Sequence, residues 1–242
     1  MQEKSVSQAL DFRRSVRVYD SGKSIDIVKV KKCIIQATLA PSSSNMQLWE
    51  FHHVISKNKI QQIAKSCFNQ PAAKTAEQLV IVVVRRDLWR KRLDSNINNI
   101  KFSLSKIQNL DPIKKKKALQ YYEKLVPMIY SDFFGIIGFL KKIYVKMIGL
   151  YRPIYQEVGS GDVRVIAHKS AALAAQSFMV SMAGIGYDTC PMEGFDSNRV
   201  KKDLNISSKT EISMVIGCGI RKKDGIYGKR FRVSIDETYH IH

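Results

Sequence analysis

One stretch near the N-terminus says more than any other about the fold and the binding site of this chain: Arg13-Arg14-Ser15-Val16-Arg17-Val18-Tyr19. Three guanidinium groups and a hydroxyl fall within five residues. They directly follow residues 5–12, whose pattern predicts a short helix. Arginine binds phosphate through paired, charge-assisted hydrogen bonds, so this grouping suits a phosphate and the polar chain attached to it. The stretch therefore predicts an anion-binding site at the end of a helix.

A second informative stretch lies far along the chain and reads Cys190-Pro191-Met192-Glu193-Gly194-Phe195-Asp196. Its composition predicts a tight corner that ends on a glycine. Because glycine carries no side chain, a flat ring could lie against this backbone and receive an amide hydrogen bond. Together the two stretches predict a site for a flat, phosphorylated molecule, built from both ends of one domain.

Bulk composition narrows the class of protein. A chain of 242 residues with 45% hydrophobic residues can bury a full core. No linker or internal repeat interrupts it, so we expect one domain over residues 1–242. Residues 1–10 lack the apolar run of a signal peptide, and the four cysteines form no CxxC pair and no zinc-like spacing. We therefore expect a cytoplasmic protein with reduced thiols and no metal site.

The net charge of +19 is unusual. Such a charge attracts anions, which include nucleic acid, anionic lipid and phosphorylated small molecules. A phosphate site would use only a few of these cations, so the excess favours no single partner. It is also compatible with a lysine-rich composition that has no specific role.

Apolar periodicity predicts an α+β fold. Helices are expected over residues 26–39, 58–66 and 164–186. Strands are expected over residues 49–56, 79–84 and 212–220, with a final extended segment at 230–241. The run 79–84 is apolar and β-branched throughout, which is typical of a central strand buried on both faces. Residues 95–160 are expected to form a helical insertion.

The segment 133–151 within this insertion is the most unusual part of the chain, because it is long and rich in apolar residues. It is long enough to span a bilayer, but Lys141, Lys142 and Lys146 argue against spanning. Two interpretations remain open. The segment is either a helical arm that covers a partner subunit or the active site, or a basic amphipathic segment that rests on a membrane surface.

Four segments, taken in order, resemble the nitroreductase-like FMN enzymes: residues 13–17, 40–49, 191–196 and 230–232. The resemblance covers nearly the whole chain outside the insertion. It implies a three-layer fold with a central, mostly antiparallel sheet flanked by helices. It also implies a homodimer with a flavin site at each interface.

The resemblance also suggests which residues bind FMN. The phosphate, ribityl chain and pyrimidine edge would be held by the N-terminal arginines and serine, and Arg230 and Arg232 would complete the pocket, although Lys229 offers a competing register. The loop at residues 41–47 would reach the flavin from the other subunit, and Asn69 or Gln70 would meet the ring. The full set is Arg13, Arg14, Ser15, Arg17, Pro41, Ser42, Ser43, Asn45, Gln47, Asn69, Gln70, Pro191, Met192, Glu193, Gly194, Arg230 and Arg232.

The resemblance further implies an oxidoreductase that moves hydride from NAD(P)H through FMN to a nitroaromatic or quinone in a ping-pong cycle. The flavin carries the chemistry, so no catalytic side chain is required. The alternative is a non-enzymatic basic protein that binds nucleic acid or an anionic membrane surface, with binding that depends steeply on salt.

Overall fold

The structure is a computed structural model that describes residues 3–107, 111–131 and 136–242. Its centre is a four-stranded sheet with strands β1 (Trp49–Val54), β2 (Gln78–Val84), β3 (Asp188–Met192) and β4 (Glu211–Gly219). The strand order is β1-β2-β4-β3, and every neighbouring pair is antiparallel.

Strand β2 lies at the centre of the sheet, and all seven of its residues are buried. The prediction of a central strand over 79–84 is therefore confirmed. Strand β3 was not predicted, because it is short and contains Pro191. As an edge strand it tolerates a residue that cannot donate a backbone hydrogen bond.

Helices surround the sheet and account for most of the remaining chain. They are α1 (Val6–Phe12), α2 (Ile27–Ala37), α3 (Lys57–Ser66), α4 (Pro71–Lys74), α5 (Trp89–Ser105), α6 (Pro112–Gln120), α7 (Val126–Tyr130), α8 (Ile136–Gly149), α9 (Ser160–Gly184) and α10 (Ser197–Leu204). A π-helical turn, Tyr121–Leu125, joins α6 to α7. Side-chain caps fix several helix starts: Ser5 accepts from the Gln8 amide, and Asp26 and Asp196 do the same at α2 and α10.

Two hydrophobic clusters form on opposite faces of the sheet. Val80, Val82 and Val84 of β2 face a cluster that contains side chains of α2, α7 and α9. The alternate residues Leu79, Ile81 and Val83 face a cluster that contains side chains of α3, α4 and α10. Because successive strand side chains point to opposite faces, one strand contributes to both cores. The three-layer α+β architecture is thus confirmed.

The alanine-rich helix predicted over 164–186 is α9. Its buried alanines, Ala167, Ala171, Ala174 and Ala175, belong to the core of this chain, where α9 packs on α2. The small side chains therefore serve packing within one chain. The outer face of α9 presents Val165 and Leu173 to solvent, each about half exposed.

The insertion is helical, as predicted, and α5 begins before residue 95. Within the 133–151 segment, residues 133–135 lie outside the described part of the chain. The rest forms α8 and the turn after it. Across the described ranges, no helix is long and apolar enough to cross a bilayer. At the C-terminus, residues 230–241 form no strand, and a single 3-10 turn occurs at Ile235–Glu237.

Candidate functional site

The arginine stretch lies at the β3 edge of the sheet. Helix α1 ends at Phe12, and Arg13 leaves the helix in an extended conformation. Ser15 then forms a parallel bridge with Thr189 of β3, and the Val16 amide donates to the Thr189 carbonyl at 3.3 Å. Buried Val16 anchors the segment, so the flanking arginines and Ser15 stay at the surface.

The C-terminal arginines lie beside this stretch. The Nη2 of Arg230 donates to the carbonyls of Asp11 and Arg13, both at 2.8 Å. Arg14 in turn donates to the Gly228 carbonyl at 2.9 Å. Arg230 thus satisfies backbone acceptors at the end of α1, a position where cations also complement the helix dipole.

Electrostatics show how closely these cations gather. Burial, followed by the positive charges of Arg230 and Arg232, lowers the pKa of the Arg13 guanidinium. Among the described residues, the carboxylate that pairs with an arginine of the cluster is that of exposed Asp11, 3.9 Å from Arg230. The cations repel each other and have little negative charge to balance them. A dianionic group such as a phosphate monoester fits this donor set.

Two residues that support the candidate site structurally escaped the sequence interpretation. The Asp188 carboxylate is buried at the start of β3 and accepts from the Arg221 Nε at 2.8 Å. Arg221 also donates to the Phe12 carbonyl at 3.0 Å and stacks over the Phe12 ring at 4.2 Å from its centroid. This contact fixes the end of α1 against β3 and β4. No spacing in the sequence relates residues 12, 188 and 221.

The amide and the glycine expected at the ring also meet. Gln70 Nε2 donates to the Gly194 carbonyl at 2.5 Å. The preceding residues Phe68 and Asn69 both adopt left-handed backbone conformations, with φ of 56° and 54°. Both Asn69 and Glu193 are exposed. Met192, by contrast, is only 3% exposed and belongs to the core, so its side chain is not available to a ligand.

The loop at residues 41–47 lies at the other edge of the sheet, just before β1. The Ser43 amide donates to Ser170 Oγ of α9 at 3.3 Å. Asn45 Nδ2 donates to Asn96 Oδ1 of α5 at 3.0 Å. Ser44, Asn45 and Gln47 all have positive φ values near 50°. The loop is therefore held in an unusual conformation by α9 and the insertion.

The fold separates this loop from the arginines of the same chain. Strands β1 and β3 form opposite edges, with β2 and β4 between them. Three strand spacings of about 4.8 Å place these edges about 14 Å apart. One chain thus brings the C-terminal arginines to the N-terminal arginines and pairs Gln70 with Gly194, and it leaves the loop at the other edge of the sheet.

Other chemistry expected from the sequence can be placed as well. All four cysteines are free and buried. Burial raises the pKa of the Cys190 thiol, although Arg17 and Arg13 oppose this shift. His168 lies within hydrogen-bond distance of Ser213 and Glu211, so side chains of β4 hold its ring. The described ranges contain no group of three His, Cys, Asp or Glu side chains arranged for a metal ion.

Comparison with known proteins identifies the family. The model of the nitroreductase family matches residues 10–220. The chain belongs to the nitroreductase family. Two curated relatives match along most of its length. The "Putative NAD(P)H nitroreductase MhqN" of Bacillus subtilis is 24% identical and aligns over 93% of each chain. "Protein DrgA" of Synechocystis is 25% identical over 92% of this chain and 86% of that protein.

Solved structures agree on the nitroreductase fold. A "putative nitroreductase in complex with FMN" from Exiguobacterium sibiricum superposes with a TM-score of 0.69 and 20% identity, covering 100% of this chain and 99% of that one. At this identity the likeness establishes the fold alone. Family membership confirms the resemblance drawn from the four sequence segments, and it assigns this chain to the oxidoreductases.

Proposed function

We propose that this nitroreductase-family protein is an FMN-dependent oxidoreductase that takes electrons from NAD(P)H. Its second substrate is an electron-poor acceptor such as a nitroaromatic or a quinone. The observation that carries the proposal is the convergence of Arg13, Arg14, Arg230 and Arg232, in which Arg230 donates to the backbone carbonyls of Asp11 and Arg13, and burial together with these charges lowers the pKa of Arg13. Cations gathered in this way favour binding of a dianion, and the phosphate group of FMN is a dianion.

The chain's own groups suit the remainder of FMN. Ser15 and Arg17 follow the phosphate cluster along the edge of β3 and would contact the ribityl chain and the pyrimidine edge. Gln70 would meet the ring beside Gly194, whose exposed backbone would offer an amide. A cation beside the pyrimidine edge stabilises negative charge on a reduced flavin, so Arg17 would tune the reduction potential.

The site also requires a second copy of the chain. The loop that contains Pro41, Ser42, Ser43, Asn45 and Gln47 lies at the edge of the sheet opposite the arginines. A homodimer would bring this loop from one subunit to the arginines of the other. The positive φ values within the loop support a role that needs a defined backbone shape, because such conformations cost energy. We propose two shared sites per dimer.

The overall reaction balances as a two-electron transfer. NAD(P)H loses a hydride and leaves as NAD(P)⁺, and the acceptor gains a hydride equivalent and a proton from solvent. Bound flavin supplies the reversible redox chemistry. The protein contributes position, positive charge and exclusion of water. Both substrates use the same face in turn, so ping-pong kinetics are expected. We place this activity in the cytoplasm.

The visible spectrum of the purified protein tests the proposal. Oxidised FMN should be present or should bind on addition, and NAD(P)H should bleach it under anaerobic conditions. A colourless protein that rejects added FMN would contradict the proposal. Steep, salt-dependent binding to nucleic acid or anionic vesicles would then favour the non-enzymatic alternative suggested by the +19 charge.

A further inference from the structure

A cavity lies between the insertion and the loop of the proposed site. Its volume is about 520 Å³. This value falls within the range of about 300–1,000 Å³ that is typical of small-molecule sites. Its walls come from the Tyr121–Tyr130 region, from α8, from the segment after α8 and from α9. Ser43 and Ser44 of the loop close one end.

The walls of the cavity are mainly apolar. Val145 of α8, Val158 of the segment after α8 and Ile166 of α9 line it, together with Leu125 and Ile129. Val145 and Val158 are only 6% and 4% exposed, so both are buried residues of the lining. Among the described residues, the lining includes the cation Lys141, which donates to the Ser131 carbonyl, and no carboxylate. A hydrocarbon that enters such a space leaves water and covers few polar groups of the protein, so its burial is favourable.

Polar groups gather at the end formed by the loop. The hydroxyls of Ser44 and Tyr121 are 2.7 Å apart, and Tyr130 is hydrogen-bonded to Ser43. Burial raises the pKa of Tyr130 to about 12, so it stays a neutral hydroxyl at neutral pH. These hydroxyls can donate to a carbonyl oxygen. The cavity thus has a hydrogen-bonding end at the loop and an apolar body away from it.

The rim of the cavity is also apolar. Leu125, Met128, Tyr144 and Tyr155 line it, and each remains 40% or more exposed. Tyr144 belongs to an outward-facing row of α8 that includes Phe139 and Ile143, so the cavity opens beside an apolar surface. Exposed apolar groups around an opening favour entry of an apolar molecule.

We propose that this cavity binds the hydrocarbon chain of a conjugated carbonyl acceptor, such as an alkyl-substituted quinone. The carbonyl head would lie at the Ser43–Ser44 end, and the chain would extend between Val145 and Val158. The role of the ligand as the acceptor rests on the proposed oxidoreductase function. The preference of the cavity for a hydrocarbon chain does not rest on that function, because it follows from the apolar lining.

Binding can be measured without turnover. The probes are a benzoquinone with a ten-carbon chain and the same quinone with a methyl group in its place. Trp89 stacks on Tyr130 of the cavity, with ring centroids 6.2 Å apart, so tryptophan quenching reports binding. The FMN-loaded protein is titrated without NAD(P)H. Each buried methylene adds about fourfold in affinity, so the long chain should bind at least about tenfold more tightly.

Variants test the location. Val158→Phe and Val145→Phe fill the cavity from two sides and should each reduce the chain preference to about twofold or less. Ile143→Phe makes the same kind of change on the outer face of α8 and should leave the preference unchanged. Circular dichroism checks the folding of each variant, and Met128→Trp at the exposed rim replaces a variant that fails to fold.

The outcomes separate the two proposals. The cavity assignment is overturned if the wild-type protein shows no chain preference, or if the preference survives in the folded cavity variants. A chain preference that the cavity variants abolish, in a protein that reduces no acceptor, would uphold the cavity and contradict the oxidoreductase.

Discussion

At the residue scale, the proposed FMN phosphate site depends on individual guanidinium groups. Replacing Arg13 or Arg17 by alanine should weaken FMN binding roughly ten- to a hundredfold, because a charge-assisted hydrogen bond contributes about 1.5–3 kcal/mol. Fluorescence titration of the apoprotein with FMN measures the effect. Arg152→Ala is the matched control, since Arg152 is an exposed arginine of the insertion. Unchanged affinity in both site variants would refute the phosphate assignment.

A second residue-scale effect concerns stability and pH. Burial tends to raise the pKa of Glu211, but hydrogen bonds and charge from Arg164, Arg86 and His168 outweigh it, so the pKa is lowered from 4.5. A lowered folded-state pKa stabilises the protein above about pH 4.5, and this contribution disappears as pH falls through the folded-state pKa.

Glu211→Gln should therefore lower the free energy of unfolding by about 2 kcal/mol at pH 7 and by much less near pH 3. Urea denaturation at both pH values measures this difference. Glu237→Gln, at an exposed position in the C-terminal 3-10 turn, is the control. An equal loss at both pH values would mean that packing, and not ionisation, explains the effect of Glu211.

At the element scale, the main question is which surface covers the exposed apolar face of α8. One face is buried through Val145, and the opposite face exposes Phe139, Leu140, Ile143 and Met147. Lys142 and Lys146 lie together on one border of this face, four residues apart, and Lys142 pairs with Asp162 at 3.0 Å. The arrangement is compatible with both interpretations drawn from the sequence, the arm and the membrane-surface segment.

We expect α8 to act as an arm that covers a partner subunit or the active site. The wild-type protein should then show negligible sedimentation with anionic liposomes at low salt. The variant with Lys141, Lys142 and Lys146 all changed to Gln should behave in the same way. Vesicles of neutral lipid provide the control. Sedimentation that depends on the lysines would instead place α8 on a membrane surface.

At the scale of the whole molecule, the decisive question is whether two chains share each site. Light scattering or sedimentation should show a dimer that retains FMN. A sharper test mixes two defective chains, Arg13→Ala and Asn45→Ala, by co-expression. In the mixed dimer one site carries both defects, and the other is intact. About half of the wild-type FMN per dimer should therefore bind tightly.

Each variant expressed alone should bind FMN weakly at both sites, and this serves as the control for the mixed dimer. If the mixed dimer binds no better than its parents, then the loop and the arginines do not meet in trans. A stable monomer that holds FMN would also exclude shared sites.

Several features could be predicted from the sequence because they depend on local pattern. The apolar run at 79–84 became the buried centre of the sheet, and the alanine-rich segment became α9. The arginines at 13–17 and 230–232 could be grouped because the family resemblance relates them. Strand β3 was missed because its five residues include Pro191, and only pairing with β4 makes them a strand.

The sequence by itself determined the family, the three-layer fold and most of the residues proposed to bind FMN, because these depend on side-chain type and order along the chain. The tertiary structure decided what depends on contacts between distant residues. It placed Asp188, Arg221 and Phe12 in contact beside the arginines, and it buried the Met192 side chain in the core. It also enclosed an apolar cavity behind Ser43 and placed the loop and the arginines at opposite sheet edges. Such distances follow from strand order and packing, which no local pattern encodes.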